Sequence, residues 1–290
     1  MAPTVSIIIP SRNRPAMLRE AVESVVAQTY RPIEIVIVLT GANAETTASA
    51  RSLQKEFGAE IVVTPPYNLA TSRNNGIRVA RGQWVTFLDD DDMYVPTKIQ
   101  RQVEASELTG ARVITNSWNR FNEFGPMESW TPHPDKHLPP GLSYPEALMT
   151  GIFVSNGLLV QTEIMKELGG FDEKLDACED WDMWRRISHR NEFVYVDEPL
   201  VRIRVHSTNM SARSWLMTST ALRHLVKMHF DTPDGLRYML PRARWETINR
   251  VLLSRLRHLL GQTYESLNRR SGGRVRAWVR TIKRRMSDSA

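Results

Sequence analysis

The sequence predicts an α/β fold, in which a mixed, mostly parallel β-sheet carries helices on both faces. Two observations lead to this fold class. Short β-branched runs such as Val5-Ser-Ile-Ile-Ile-Pro10 indicate strands that are buried on both faces. These runs alternate with segments whose apolar residues recur at helical spacing, and regular alternation of strands and helices indicates parallel pairing. Ligands bind beyond the carboxyl ends of the strands in such sheets.

Four strand–helix units follow one another in the first part of the chain. The first strand stops at Pro10, after which Leu18, Val22 and Val25 recur on one helical face. The fourth strand, 84–88, continues directly into the run Asp89-Asp-Asp-Asp92. The predicted strands are 5–10, 33–39, 60–64 and 84–88, and the predicted helices are 15–28, 43–57, 69–81 and 98–107.

The second part of the chain alternates less regularly. Strands are predicted at 112–115, around 157–160 and at 193–196, with helices from 146, before 169 and over 181–189. The segment 119–145 is rich in proline, glycine and aromatic residues, which is typical of a binding loop or lid. From about residue 214 onward the apolar pattern is helical throughout.

Composition excludes several classes of protein. The single cysteine, Cys178, excludes a disulfide framework and multi-cysteine metal sites. No apolar run reaches the length of about 18 residues that a membrane span needs, so a cytoplasmic protein is expected. Residues 211–290 hold 17 basic and 5 acidic residues, whereas residues 1–210 carry a net charge of −6. A basic tail of this kind binds nucleic acid, anionic lipid or an acidic partner.

The four adjacent aspartates, Asp89–Asp92, give the strongest indication of chemistry. Four neighbouring carboxylates cannot all be ionised in a dry site without a cation, and Mg²⁺ takes one or two carboxylates together with substrate phosphates. A solvated acidic turn is the alternative, but the run follows a fully apolar strand. We therefore predict a metal–phosphate site at the end of the fourth strand.

A second acidic cluster, Glu179-Asp-Trp-Asp182, opens a predicted helix. Helix N-termini favour carboxylates in any case, but Trp181 and Trp184 could also form an apolar wall against a substrate. A carboxylate placed near a metal-bound leaving group can remove a proton from an attacking hydroxyl. The chain has neither G-x-G-x-x-G after the first strand nor G-x-x-x-x-G-K-[ST], so neither a nicotinamide dehydrogenase nor a P-loop ATPase is expected.

The order of these motifs resembles that of the inverting family-two glycosyltransferases of bacterial type, which have the Rossmann-like GT-A fold. The resemblance covers roughly residues 4–212 and rests on the segments 6–13, 70–76, 87–92, 169–172 and 179–182, followed by His206. It implies transfer of a sugar from a nucleotide-diphosphate sugar to an acceptor hydroxyl, with inversion at the anomeric carbon and with Mg²⁺ or Mn²⁺ as cofactor.

The same resemblance implies a domain organisation and a set of residue roles. A catalytic domain at 1–212, with a nucleotide-binding half at 1–115 and an acceptor-binding half at 116–212, precedes a basic helical extension at 213–290. Asp180 matches the catalytic base, and Asp91 matches the metal ligand of the D-x-D signature, with His206 also on the metal side. The matches on the donor and nucleotide side are Pro10, Ser11, Arg12, Arg73, Asp89 and Asp90, and those on the acceptor side are Glu179 and Trp181.

One departure from the family pattern concerns the nucleotide base. The family often has two aspartates and a glycine after the second strand, the first aspartate contacting uracil. Here the stretch is Val38-Leu-Thr-Gly41, so the uracil contact is missing or supplied elsewhere. TDP and GDP sugars therefore stay open beside UDP sugars.

Two other functions are compatible with an α/β fold that carries acidic clusters. A sugar nucleotidyltransferase needs a glycine-rich loop after the first strand, which Ser11-Arg-Asn-Arg-Pro15 does not provide. A non-catalytic sugar-nucleotide-binding module is the other, and the presence of Asp89, Asp91 and Asp180 argues against it.

The basic tail contains a predicted amphipathic helix at 274–286. Its apolar stripe is Val275, Trp278, Val279, Ile282 and Met286, and most of its other residues are basic. This pattern is typical of a helix in a membrane interface, where each basic residue adds about 1 kcal/mol near an anionic surface. We expect peripheral contact with the inner face of the cell membrane, which suits a glycan or lipid-linked acceptor in surface polysaccharide assembly. Nucleic acid is the rival partner, but the stripe lacks the stacking platform that single strands need.

Overall fold

The computed structural model describes residues 3–127 and 154–206, apart from residues 189 and 192. Its strands are β1 Val5–Ser11, β2 Ile33–Thr40, β3 Glu60–Thr64, β4 Trp84–Phe87, β5 Met93–Tyr94, β6 Val113–Asn122, β7 Gly125–Pro126, β8 Leu159–Gln161 and β9 Val194–Arg204. Its α-helices are α1 Pro15–Val26, α2 Ala44–Phe57, α3 Leu69–Val79, α4 Lys98–Thr109, α5 Thr162–Glu167 and α6 Glu179–Ser188. A 3₁₀ turn, Ser155–Gly157, precedes β8.

The strands form one mixed sheet in the order β3-β2-β1-β4-β8-β6-β9-β5, and β7 pairs with β6. β1 lies between β2 and β4 and is parallel to both. β8 is antiparallel to β4 and to β6, whereas β9 is parallel to β6. The carboxyl ends of β1, β4 and β9 therefore meet at one edge of the sheet. The predicted fold class, a mixed and mostly parallel sheet flanked by helices, is confirmed.

The two faces of β1 pack against different helices, because successive side chains of a strand point to opposite faces. Ile7 and Ile9 share a core with buried residues of α1, α2 and α4, whereas Ile8 shares one with residues of α3, α5 and α6. Gly76 lets α3 approach β1 closely, since a Cβ at this position would collide with Ile8 Cγ2. This packing fixes α3, and thus the residues it carries, against the centre of the sheet.

β6 and β9 extend further than predicted. They pair in parallel from Ile114 with Val194 to Phe121 with Arg204, with irregularities near Ser117. As a result, residues 119–126 form the end of β6 and the short β6–β7 hairpin, and the irregular segment predicted from 119 does not begin there. The remainder of that segment lies outside the described residues beyond 127.

Other predictions also lie outside the described residues: the helix from 146, the domain boundary at 212 and the amphipathic helix at 274–286. Within the ranges that the structure describes, no helix is both long enough and apolar enough to cross a membrane.

Candidate functional site

The aspartate run Asp89–Asp92 lies at the carboxyl edge of the sheet, directly after β4. Asn156, on the 3₁₀ turn, binds both ends of the run. Its Oδ1 accepts a hydrogen bond from Asp89 N at 3.1 Å, and its Nδ2 donates to Asp92 Oδ2. No motif in the sequence pointed to Asn156. The turn that carries it therefore sets the shape of the aspartate run.

Asp90 faces the loop that follows β1. Its Oδ2 accepts hydrogen bonds from Ser11 Oγ at 2.7 Å and from Arg12 N at 3.3 Å, and its Oδ1 accepts one from Arg14 Nη1 at 3.0 Å. Burial raises the pKa of Asp90 to about 6, although Ser11 and Arg14 act in the opposite direction. The side chain of Pro10 is buried and that of Arg12 is exposed. Asp90 therefore holds the backbone and hydroxyl of the predicted nucleotide loop.

Asp91 and His206 meet at the same edge of the sheet. His206 Nε2 lies 3.0 Å from Asp91 Oδ2. The same carboxylate oxygen accepts a hydrogen bond from Arg14 Nη1 at 2.6 Å. Asp91 is buried, whereas 29% of the Arg14 side chain is exposed. One oxygen atom thus faces both an imidazole and a guanidinium.

Asp92 secures the end of β9. Its Oδ1 accepts a hydrogen bond from Arg204 N at 2.7 Å, and Arg204 Nε donates to Asp91 O at 2.9 Å. Burial raises the pKa of Asp92 well above its ordinary value, and the negative charges of Asp89 and Asp91 raise it further. Because His206 follows only two residues after Arg204, these bonds place its imidazole beside Asp91.

Arg73 joins the aspartate run to the second acidic cluster. Its Nη2 donates to Asp89 Oδ1 at 3.0 Å and its Nη1 donates to Glu179 Oε1 at 2.7 Å. The residue is 2% exposed, and its guanidinium carbon lies 5.9 Å and 5.5 Å from the ring centres of Phe87 and Phe171. Two residues that are far apart in the sequence, Asp89 and Glu179, are thereby held on one guanidinium.

Asn74 attaches the turn before α6 to α3. Its Oδ1 accepts a hydrogen bond from Phe171 N at 2.8 Å, and its Nδ2 donates to Phe171 O at 2.9 Å. Gly170 has a φ of +76°, and a Cβ there would collide with Asn74 Oδ1. Only glycine adopts this backbone conformation at no steric cost. The turn at 169–172 therefore lies against α3 and leads the chain towards α6.

Asp180 lies in the first turn of α6 and is partly buried. Its Oδ2 accepts a hydrogen bond from Ser155 Oγ at 3.4 Å, and its Oδ1 accepts one from Trp181 N at 2.8 Å. Burial, followed by the negative charge of Glu179, raises the pKa of Asp180 to about 7, while Arg73 opposes the shift. A carboxyl group with this pKa can accept a proton near neutral pH.

The other residues of the second cluster differ in their surroundings. Trp181 is partly buried, whereas Trp184 is 1% exposed and packs in the core with Met183 and Ile187. The expectation that Trp184 faces a substrate is therefore wrong. Burial raises the pKa of the Cys178 thiol to about 12, which leaves it protonated and a poor nucleophile.

Leu39 and Thr40 stand where the family often has its two aspartates, and both side chains are buried. Thr40 Oγ1 lies 2.7 Å from Ser72 Oγ and accepts a hydrogen bond from Thr64 Oγ1 at 3.4 Å. The hydroxyl is therefore used inside the protein.

The donors at Asp91 fit a divalent cation that also binds substrate phosphates. Asp91 and His206 offer a carboxylate oxygen and an imidazole nitrogen at one point, and Arg14 already places a positive charge there. In the part of the chain that the structure describes, no three His, Cys, Asp or Glu side chains are grouped as metal ligands. One carboxylate is nevertheless sufficient for magnesium when phosphates complete its shell, whereas an imidazole ligand suits softer divalent metals.

Most of the predicted site residues thus lie at one edge of the sheet. Those joined by the contacts given above are Ser11, Arg12, Arg73, Asp89, Asp90, Asp91, Glu179, Asp180, Trp181 and His206. Arg14, Ser155, Asn156 and Arg204 take part in the same network and were not predicted, and Asp92 was predicted only as a member of the aspartate run. The position of Arg14 could have been predicted from the sequence, because it is a basic residue in the loop after β1, and β1 pairs with the strand that leads into the aspartate run.

Comparisons with known proteins agree with this architecture. The sequence model of Glycosyl transferase family 2 matches residues 6–152, and that of Glycosyltransferase like family 2 matches residues 147–239. An uncharacterized glycosyltransferase of Rickettsia typhi is 30% identical over 234 residues, which cover 77% of this chain and 69% of the relative. One from Methanocaldococcus jannaschii is 28% identical over 219 residues, covering 70% of this chain and 71% of the relative.

Solved structures share the fold. The crystal structure of S. aureus TarS 1–349 in complex with UDP-GlcNAc has a TM-score of 0.65 at 16% identity, covering 88% of this chain and 73% of TarS 1–349. The mannosyltransferase PcManGT from Pyrobaculum calidifontis, in complex with GDP-Man and Mn²⁺, has a TM-score of 0.62 at 15% identity. The match covers 96% of this chain and 85% of PcManGT. The predicted GT-A fold is thereby confirmed.

Proposed function

Because the chain belongs to glycosyl transferase family 2, we propose that it transfers a sugar from a nucleotide-diphosphate sugar to an acceptor hydroxyl, with inversion at the anomeric carbon. The observation that carries this proposal is the Arg73 bridge between Asp89 and Glu179. It holds the aspartate run and Glu179, the neighbour of Asp180, on one side chain. Groups suited to a leaving diphosphate and a group suited to a proton are therefore close together.

Asp180 is the proposed general base. The acceptor oxygen attacks the anomeric carbon while Asp180 takes its proton, and the bond from that carbon to the diphosphate oxygen breaks. The bonding electron pair leaves with the diphosphate, so a single displacement gives inversion without a covalent sugar–enzyme intermediate. A base whose pKa lies near neutrality is suited to this proton transfer.

The residues of the aspartate run have two kinds of proposed role: binding the metal and orienting neighbouring segments. Asp91 and His206 would hold Mg²⁺ or Mn²⁺, which when bound neutralises negative charge on the leaving diphosphate. Asp90 orients the loop after β1, and Asp92 orients the end of β9. Arg73 is assigned to positioning because its guanidinium is buried between two carboxylates. This assignment differs from the donor-side role that the resemblance implied for Arg73.

The donor is proposed from the relatives and from the surroundings of Thr40. TarS 1–349 and PcManGT were solved with UDP-GlcNAc and GDP-Man, respectively. Since neither Leu39 nor Thr40 offers a carboxylate to a uracil ring, UDP, TDP and GDP sugars are all donors to test. The acceptor is proposed to be a glycan or a lipid-linked glycan in surface polysaccharide assembly.

The test separates binding from transfer. Thermal denaturation of the full chain with Mn²⁺ and UDP, TDP or GDP identifies the nucleotide, and release of that nucleoside diphosphate from its sugar donor measures transfer to water. Asp180→Asn should keep the nucleotide-induced rise in Tm and lose about 10²- to 10⁴-fold in release. The control is Asp176→Asn, the same change at an exposed position in the preceding loop.

Each result has a defined meaning. Release by Asp180→Asn at the wild-type rate would show that Asp180 is not the base. A wild-type Tm that no nucleoside diphosphate raises would show that the donor class is wrong.

A further inference from the structure

Arg14 holds its guanidinium on the carboxylate oxygen that also faces His206. Its Nη1 lies 2.6 Å from Asp91 Oδ2 and 3.0 Å from Asp90 Oδ1. Arg14 occupies the N-cap position of α1 but makes no capping hydrogen bond with its side chain. The side chain is instead directed to the two buried carboxylates.

A divalent cation bound to the Asp91 carboxylate would lie close to the guanidinium of Arg14, which already donates to Asp91 Oδ2. Mg²⁺ binds oxygen at about 2.1 Å, which is closer than the charge-assisted hydrogen bond that Arg14 makes to the same atom. Two positive charges that close together also repel each other. Arg14 can leave, because its side chain is long and 29% exposed, and Asp90 Oδ1 offers a second contact on a different carboxylate.

We propose that Arg14 competes with the divalent cation for Asp91 and so controls entry of the metal. Arg14 offsets part of the negative charge of the buried Asp90–Asp91 pair, and its Nη1 lies on the oxygen that also faces His206. Entry of the cation displaces Nη1 from Asp91. This inference rests on the proposed function, because it takes Asp91 and His206 as the metal ligands.

The competition has a measurable size. The observed affinity for a ligand is the intrinsic affinity reduced by the fraction of molecules that are competent to bind it. If Arg14 covers Asp91 in about nine molecules of ten, its removal tightens binding about tenfold. A residue with a purely structural role would leave metal binding unchanged or weaken it, so the sign of the effect is diagnostic.

The experiment is a titration of the full chain with Mn²⁺ alone, with free Mn²⁺ followed by electron paramagnetic resonance at constant ionic strength. Arg14→Gln should bind Mn²⁺ about tenfold more tightly than wild type, and Arg14→Lys by a smaller factor. The matched control is Arg19→Gln, which removes one positive charge from α1 at an ion pair with Glu56. It should stay within about twofold of wild type. Asp91→Asn should no longer bind Mn²⁺ at this site.

The outcomes separate this inference from the proposed function. Unchanged or weaker binding by Arg14→Gln, with binding lost in Asp91→Asn, would overturn the role of Arg14 and leave the metal site intact. Equal binding by wild type and Asp91→Asn would overturn the metal assignment, and the inference with it. If Arg14→Gln fails to fold, Arg14→Lys decides: tighter binding than wild type supports competition, and equal or weaker binding refutes it.

Discussion

Replacing Arg73 by methionine tests whether the two acidic segments are held together by one guanidinium. The variant keeps an unbranched side chain between Phe87 and Phe171 but leaves Glu179, which is 5% exposed, without its positive partner. Removing one partner of a buried ion pair lowers stability by about 3–5 kcal/mol. Asp89, whose side chain is 35% exposed, can turn to water, so the lower end of that range, about 3 kcal/mol, is expected.

The assay is thermal and urea unfolding of the full chain, followed by circular dichroism. A loss of about 3 kcal/mol corresponds to a fall in Tm of roughly 6–12 °C for a domain of this size. Arg78→Met is the matched control, because Arg78 lies on the same helix and its 63% exposed side chain pairs with Glu173 at 3.5 Å. An exposed pair contributes about 0–1 kcal/mol. Arg78→Met is therefore expected to change Tm by at most about 2–4 °C.

The same variant makes a prediction about the base. Arg73 opposes the rise in the pKa of Asp180, so Arg73→Met should raise that pKa further and shift the acidic limb of kcat/KM to higher pH. Equal losses of stability in Arg73→Met and Arg78→Met would refute the bridge. Asp89 and Glu179 would then have to be held together by other contacts.

Two further predictions concern titrating groups. Glu179→Gln removes a charge that raises the pKa of Asp180, so the acidic limb of kcat/KM should move below pH 7; an unmoved limb would contradict this cause. Lys98 is fully buried, 4.1 Å from the Tyr94 ring, and burial lowers its pKa well below 10.5. Between its folded pKa and 10.5 the unfolded chain binds more protons, so the free energy of unfolding rises with pH, by at most about 1.4 kcal/mol per pH unit. Lys98→Met should lose this contribution in urea titrations at rising pH, and exposed Lys55→Met should keep it; equal slopes would contradict the prediction.

The sequence predicts the central strands β1 and β2 well, and it predicts β5, β6 and β7 poorly. β1 and β2 are apolar along most of their length because both of their faces are covered, so they are readable as strands. β6 contains the buried polar residues Asn116 and Ser117, which are stabilised by Gln102 at 2.9 Å and by Tyr195 at 2.5 Å. Those partners come from α4 and β9, and a local pattern contains no information about them. β5 and β7 have two residues each, too few to show a period.

The candidate site divides in the same way. The acidic segments were found because charge at the end of an apolar strand is unusual, and because their order resembles that of a family. The bridge made by Arg73 was not predicted, since it joins residues 16 and 106 positions away in the sequence. Asn156 likewise gave no signal, because an asparagine acquires this role only when its turn reaches the aspartate run.

The aspartate run also has a consequence for how the molecule comes together. Its carboxyl groups accept hydrogen bonds from four stretches that are remote in the sequence. These stretches are the loop after β1, helix α3, the turn at 155–157 and the end of β9. Until the fold brings these stretches together, the four carboxyl groups lack these partners. The geometry of the aspartate run therefore depends on both halves of the sheet, because its partners come from β1 as well as from the end of β9.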